Sequence, residues 1–135
     1  MTTHVRTAFL GAACAAALVV LCSCASGPVT IPADLSAAEI FQRAQDASDR
    51  GDYPLAIRYY SMMPTSYPDD VVHNTWSSYE IAFLYHKMKR NALALSSINE
   101  LLDRYDKEGD KLPPAPRVLA LKLKVRLEEA LKTKQ

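Results

Sequence analysis

The stretch AQDASDRGDYPLAIRYY (Ala44–Tyr60) decides the fold. Ala44 and Ala47 precede a turn, and Ala56, Ile57 and Tyr60 follow it, each set at the three- and four-residue spacing of one helical face. Between them Gly51 suits the left-handed residue that ends a helix. Pro54 suits the first position of the next helix, where its missing N–H costs nothing. Outward on the amino side, Ser36 and Glu39 stand three apart, the spacing of a capping box, just before an Ala-rich stretch. Outward on the other side, Pro68 suits a stop, and Pro64 is expected to end or kink the second helix early. No alternating strand pattern occurs anywhere in the chain. The expected class is all-α.

The helix-turn-helix pattern recurs. Ala44, Ala82 and Ala120 stand 38 residues apart, and Ala47, Tyr85 and Leu123 match three places on. Ile81 and Leu119 match one place before, where the first copy has Arg43. Ala56 pairs with Ala94, and Tyr60 with Ile98. An alanine at such a place lets two helices approach closely, and a larger partner one turn away fills the gap. The second copy is looser, with Asn91 in place of the turn aromatic and Asp106 in place of the closing proline. The third has only its first helix, at about 116–133, introduced by Pro113, Pro114 and Pro116. A fixed period of this size marks stacked units, none of which buries its apolar face alone.

These residues resemble the tetratricopeptide repeat, here in about two and a half helix-turn-helix units spanning residues 36–135. The period is longer than the typical repeat of roughly 34 residues. With Ser66-Tyr67-Pro68 closing the first unit, Ala38 to Tyr105 resembles the first two repeats of the tetratricopeptide lipoprotein of the bacterial outer-membrane β-barrel assembly machinery. That resemblance implies a role in assembling or organising outer-membrane proteins. It also implies a concave groove lined by the first helix of each unit: Phe41, Gln45 and Ser48, then Trp76, Tyr79, Phe83 and His86, then Arg117, Leu121 and Lys124.

The amino terminus agrees with an exported protein. Arg6 and His4 precede an Ala-rich apolar run ending in Val19-Val20, then Leu21-Cys22-Ser23-Cys24, then the small and polar Ala25-Ser26-Gly27-Pro28. This resembles a lipoprotein signal peptide over residues 1–23, with Cys24 as the acylated first residue and residues 24–35 as a lipid-proximal tether. The apolar run is too short to span a bilayer, which takes roughly 20 residues. A plain cleaved signal peptide fits the same shape, and Cys22 is an alternative lipid site. Cys14, Cys22 and Cys24 are the three cysteines, so the mature domain is held by apolar packing without disulfides. The expected location is the cell envelope, lipid-anchored at the outer membrane and facing the periplasm.

Chemistry is not written in the chain. His73 and His86 lie thirteen apart with no HExxH pattern, and Glu80 stands between them at no useful spacing. The glycine pattern that cradles phosphate is absent, with four glycines in all. Sixteen Lys and Arg against fifteen Asp and Glu leave no basic footprint for nucleic acid. The chain therefore reads as a non-enzyme without cofactor or metal.

The functional signal is an aromatic stripe on a helix of about 72–88: Trp76, Tyr79, Phe83 and then His86, with Lys87 beside it. It reads as peptide-binding anchors, or equally as the seam between successive first helices. The cluster Lys87, Lys89 and Arg90 also suits a helix C-terminus on dipole grounds. Val118, Leu119, Leu121, Leu123, Val125, Leu127 and Leu131 cover more than one face of the last helix, which points to a partner, a homo-oligomer or folding back. The expected function is a protein–protein adaptor in the envelope. The alternative is a small-ligand-binding or transporter-accessory lipoprotein.

Overall fold

A computed structural model describes residues 30–133; the leader, Cys24 and most of the tether lie outside the described residues. Among them the chain forms five α-helices: α1 (Ala37–Asp49), α2 (Tyr53–Ser66), α3 (Val71–Lys87), α4 (Asn91–Glu108) and α5 (Pro114–Lys132). A short 3-10 turn, Gly109–Lys111, precedes α5, and no strand occurs among the described residues. No helix among them is long and apolar enough to cross a membrane.

Local chemistry sets the helix ends. At the start of α1 the Glu39 amide donates to Ser36 Oγ at 3.3 Å, while Glu39 Oε2 accepts from the Ser36 amide at 2.9 Å. The Ser36 hydroxyl and then its backbone N–H hold the Glu39 carboxyl below its ordinary value. Asp52 caps α2 by accepting from the Leu55 amide at 3.2 Å. Pro54 takes the second helical position, one place later than expected. Pro64 does not end α2, which runs on through Ser66. With only Thr65 and Ser66 beyond it, the proline removes one hydrogen bond from a turn that is already closing.

The two helix pairs turn in the same way. Gly51 N–H donates to Ser48 O at 2.9 Å and Asp52 N–H to Ala47 O at 2.8 Å; 38 residues later Lys89 N–H donates to His86 O and Arg90 N–H to Tyr85 O, both at 2.9 Å. Both are Schellman closures with a left-handed residue, Gly51 at φ 78° and Lys89 at φ 62°. Only the glycine adopts that backbone without a Cβ penalty. Lys89→Gly is therefore expected to stabilise the protein by about 1 kcal/mol. Paired thermal and urea melts check it, and a loss of stability would contradict the strain argument.

Each helix packs on the next, and α3 also packs on α5. Ala44, Ala47, Ala56, Ala82, Ala94 and Ala120 are fully buried at these crossings, which brings the backbones close. Two cores result. The first joins α1 and α2 through Ile40, Tyr59, Tyr60 and Met63 and takes Leu84 from α3. The second joins α4 and α5 through Ile98, Leu101, Tyr105, Leu123 and Leu127 and takes Ala82 from α3, with Tyr79 and Phe83 packed against it. α3 is the shared wall.

The packed domain begins ahead of Ser36. Leu35 is buried in the first core with Ile31 against it, and the Tyr67 hydroxyl donates to Leu35 O at 2.7 Å. The last residues of the expected tether thus belong to the fold. At the other end α5 buries Pro116, Ala120, Leu123 and Leu127. Val118, Leu121 and Val125, on the opposite side, stay half-exposed.

Candidate functional site

α3 carries an open face between α1 and α5. Trp76, Glu80, Phe83 and Lys87 succeed one another along it at four, three and four residues, with Tyr79 beside them. The three aromatic residues are partly buried and Lys87 is exposed. Their rings form a continuous row: Trp76 meets Tyr79 edge-on at 6.3 Å between centroids, and Tyr79 stacks on Phe83 at 6.2 Å. The Lys87 ammonium closes the row, 5.8 Å from the Phe83 centroid and 5.9 Å from that of Tyr53 at the start of α2. Cations over aromatic faces are held by the ring quadrupole, so Lys87 serves more than the helix dipole.

Tyr79 and Phe83 are part of the seam: both pack against the second core. Both also line a cleft of about 110 Å³ between α3 and α5, completed by Leu119, Lys122, Leu123 and Arg126. Burial, then the charge of Glu80, pushes the Tyr79 phenol up from its ordinary value, and Arg126 opposes them. Trp76 belongs to neither core and touches Tyr79 alone among the rings.

His86 leaves the row. Its Nδ1 lies 3.1 Å from Oδ1 of the buried Asn91, so the ring joins the end of α3 to the start of α4. His73 is likewise engaged, with Nδ1 2.7 Å from Asp70 Oδ2 and its ring 4.8 Å from Phe41. Phe41 in turn meets Tyr60 at 5.2 Å, which makes it the seam between α1, α2 and α3. Among the described residues no group of three or more His, Cys, Asp or Glu is placed to hold a metal ion.

On α5 the period misleads. Arg117, Leu121 and Lys124 do not face α3. They line a polar cleft of about 510 Å³ against Asn99, Leu102, Asp103 and Asp106 of α4. Arg117 is drawn there by Asp106, at 3.7 Å, and by the Tyr105 ring, 5.7 Å from its guanidinium. The Tyr105 hydroxyl donates to Pro113 O and fixes the start of α5 in this rotation. Lys122 and Arg126 meet the aromatic row instead, and nothing in the repeat spacing marks them.

On the α1 side, Gln45, Ser48 and Asp49 face Tyr60 and Glu80 across a space of about 300 Å³. Burial pushes the Glu80 carboxyl above its ordinary 4.5. A raised folded-state value means that Glu80 weighs against folding as pH rises from 4.5 through that value, where the buried carboxyl must ionise. Glu80→Gln is therefore expected to raise the melting temperature at pH 7. Below 4.5, with Glu80 protonated in both states, the gain should vanish. An unchanged melting temperature at pH 7 would contradict the burial cost.

The open face thus has an aromatic ridge, a basic flank on α5 and an acidic flank on α1. Such a face suits a polypeptide segment with one apolar anchor and charges on either side. No protein-family model, curated protein or solved structure matches the chain.

Proposed function

We propose that this chain is a non-enzymatic envelope lipoprotein that captures a segment of another envelope protein on the open face of α3. The lipid on Cys24 fixes it to the outer membrane, facing the periplasm, and the helical domain acts as a tetratricopeptide-like adaptor in outer-membrane protein assembly or organisation. The row Trp76–Tyr79–Phe83, partly buried and flanked by charges of opposite sign, is the observation that carries this reading. Aromatic anchors of this kind supply a large share of binding energy at protein interfaces. The repeated Schellman turns 38 residues apart and the buried alanines in the same register support the repeat assignment.

The test is cross-linking of the lipidated protein in its own membranes, followed by identification of what is joined to it. The reading predicts β-barrel proteins or their assembly factors. A transporter component would instead favour the accessory role, and self-cross-links alone would move the interface to α5. The accessory reading has one observation of its own. Ile31, Ala33, Ile57 and Met62, together with Arg58, Ser61, Thr65 and Ser66, line a mixed groove of about 570 Å³, within the size range of small-molecule sites. A native mass spectrum of the purified protein decides it, since that reading requires a ligand retained through purification.

A further inference from the structure

The space between α1 and α3 brings two carboxylates from different helices to a nearly buried hydroxyl. Asp49 comes from the end of α1 and Glu80 from the middle of α3, and among the described residues neither carboxylate has a cationic partner. Tyr60, from α2, forms the floor. Its side chain is 2% exposed, yet its hydroxyl has no hydrogen-bond partner among the described residues. That hydroxyl is not sealed in the core. It shares the same space with Glu80 and Asp49, and after burial their two negative charges are what push the phenol up from its ordinary value. Gln45 and Ser48 add neutral polar groups on the α1 wall. Three helices therefore converge two carboxylates and a free hydroxyl on a volume of about 300 Å³, at the small end of ligand sites.

Glu80 bears a burial cost when ionised, which a cation bound beside it relieves, and the exposed Asp49 adds a second negative charge to the same space. A hydrogen-bonding cation suits it better than a bare metal ion, since hydroxyl, amide and carboxylate oxygens accept from N–H groups and among the described residues no group of three or more His, Cys, Asp or Glu is placed to hold a metal. An apolar stem suits it as well, because Glu80 lies one turn from Trp76 and three residues from Phe83, which places the aromatic row beside the notch. An ammonium or guanidinium on a methylene chain has this shape, with its stem along the rings and its head in the polar end.

We propose that the notch walled by Gln45, Ser48, Asp49, Tyr60 and Glu80 receives a lysine or arginine side chain of the captured segment. This inference rests on the adaptor reading above and sets its partner class: a segment with a basic residue next to an apolar anchor. It also sets direction. The basic residue lies on the α1 side, and acidic residues of the segment lie toward Lys122 and Arg126 on α5.

The test uses the lipidated protein in detergent micelles and two capped tripeptides, one with lysine between leucines and one with norleucine in its place. Backbone amide signals are followed by NMR, with calcium chloride and putrescine as further titrants. The lysine peptide is expected to shift Gln45, Ser48 and Glu80 saturably and to bind about tenfold more tightly than the norleucine peptide. Glu80→Gln and Asp49→Asn should each remove that advantage, with helicity retained and the melting temperature no lower, Glu80→Gln melting higher at pH 7 as argued above. Putrescine shifting the same three residues more weakly than the lysine peptide would support the stem argument. Equal affinity of the two peptides along Trp76 and Phe83 would overturn the notch and leave the recognition face standing. Saturation of these signals by calcium with no response to lysine would overturn it in favour of a metal site. Silence toward every titrant would also overturn it, while the adaptor reading is judged separately by cross-linking in membranes.

Discussion

Leu84→Ala is expected to lower stability by about 3 kcal/mol, and to loosen α1 and α2 before the rest of the molecule. Leu84 is 1% exposed and is the one fully buried apolar residue that α3 contributes to the first core. Truncating a buried leucine removes its transfer free energy and leaves a cavity that the neighbours close only in part. The second core has its own set, Ile98, Leu101, Tyr105, Leu123 and Leu127, and reaches α3 through Ala82 rather than Leu84. The loss should therefore fall unevenly. A melting temperature lower by on the order of 10 °C or more is expected for a domain of this size. In hydrogen exchange, amides of α1 and α2 should lose protection well ahead of those of α4 and α5. A loss below about 1 kcal/mol would contradict the packing argument, and uniform loss of protection would mean that the two cores unfold as one.

Trp76→Ala is expected to weaken partner capture at least about tenfold while leaving the melting temperature nearly unchanged. The two halves of that expectation come from the same observation: the indole is partly exposed, touches Tyr79 and belongs to neither core. A residue that contributes little to folding is free to be selected for contact. Lys87→Ala should weaken capture less, since its ammonium is already held over Phe83 and Tyr53. Quantitative recovery of the cross-linked partner, alongside circular dichroism of each variant, checks both. Capture unchanged in both variants would sink the recognition face.

What was legible in the sequence is what short-range chemistry decides. The Ser36–Glu39 box, the left-handed Gly51 and the helical class each depend on residues within one or two turns of each other. The alanine register was legible for a related reason: helices that cross closely need small residues at the crossing, and all three, Ala44, Ala82 and Ala120, are fully buried. The failures are tertiary. Lys89 takes the place of a glycine because two hydrogen bonds and the packing of the α3–α4 pair hold the turn. His86 fits the stripe by spacing, but Asn91 draws it across the turn. Arg117 follows Asp106 and the Tyr105 ring, which rotates α5 away from the period and brings Lys122 and Arg126 to the aromatic row. The notch was invisible because Asp49, Tyr60 and Glu80 come from three helices and share no spacing.

The proposed function puts the captured protein on the open face of α3. Site-specific photo-cross-linking in native membranes tests it most directly, with a benzophenone side chain placed in turn at Trp76, Phe83, Leu93 and Leu121. Leu93 and Leu121 are about half exposed and off the aromatic row, so they report on the other surfaces of the domain. A shared β-barrel or assembly-factor adduct is expected from Trp76 and Phe83, and none from Leu93 or Leu121. Adducts from Leu121 with silence at Trp76 and Phe83 would contradict it and place the interface on α5.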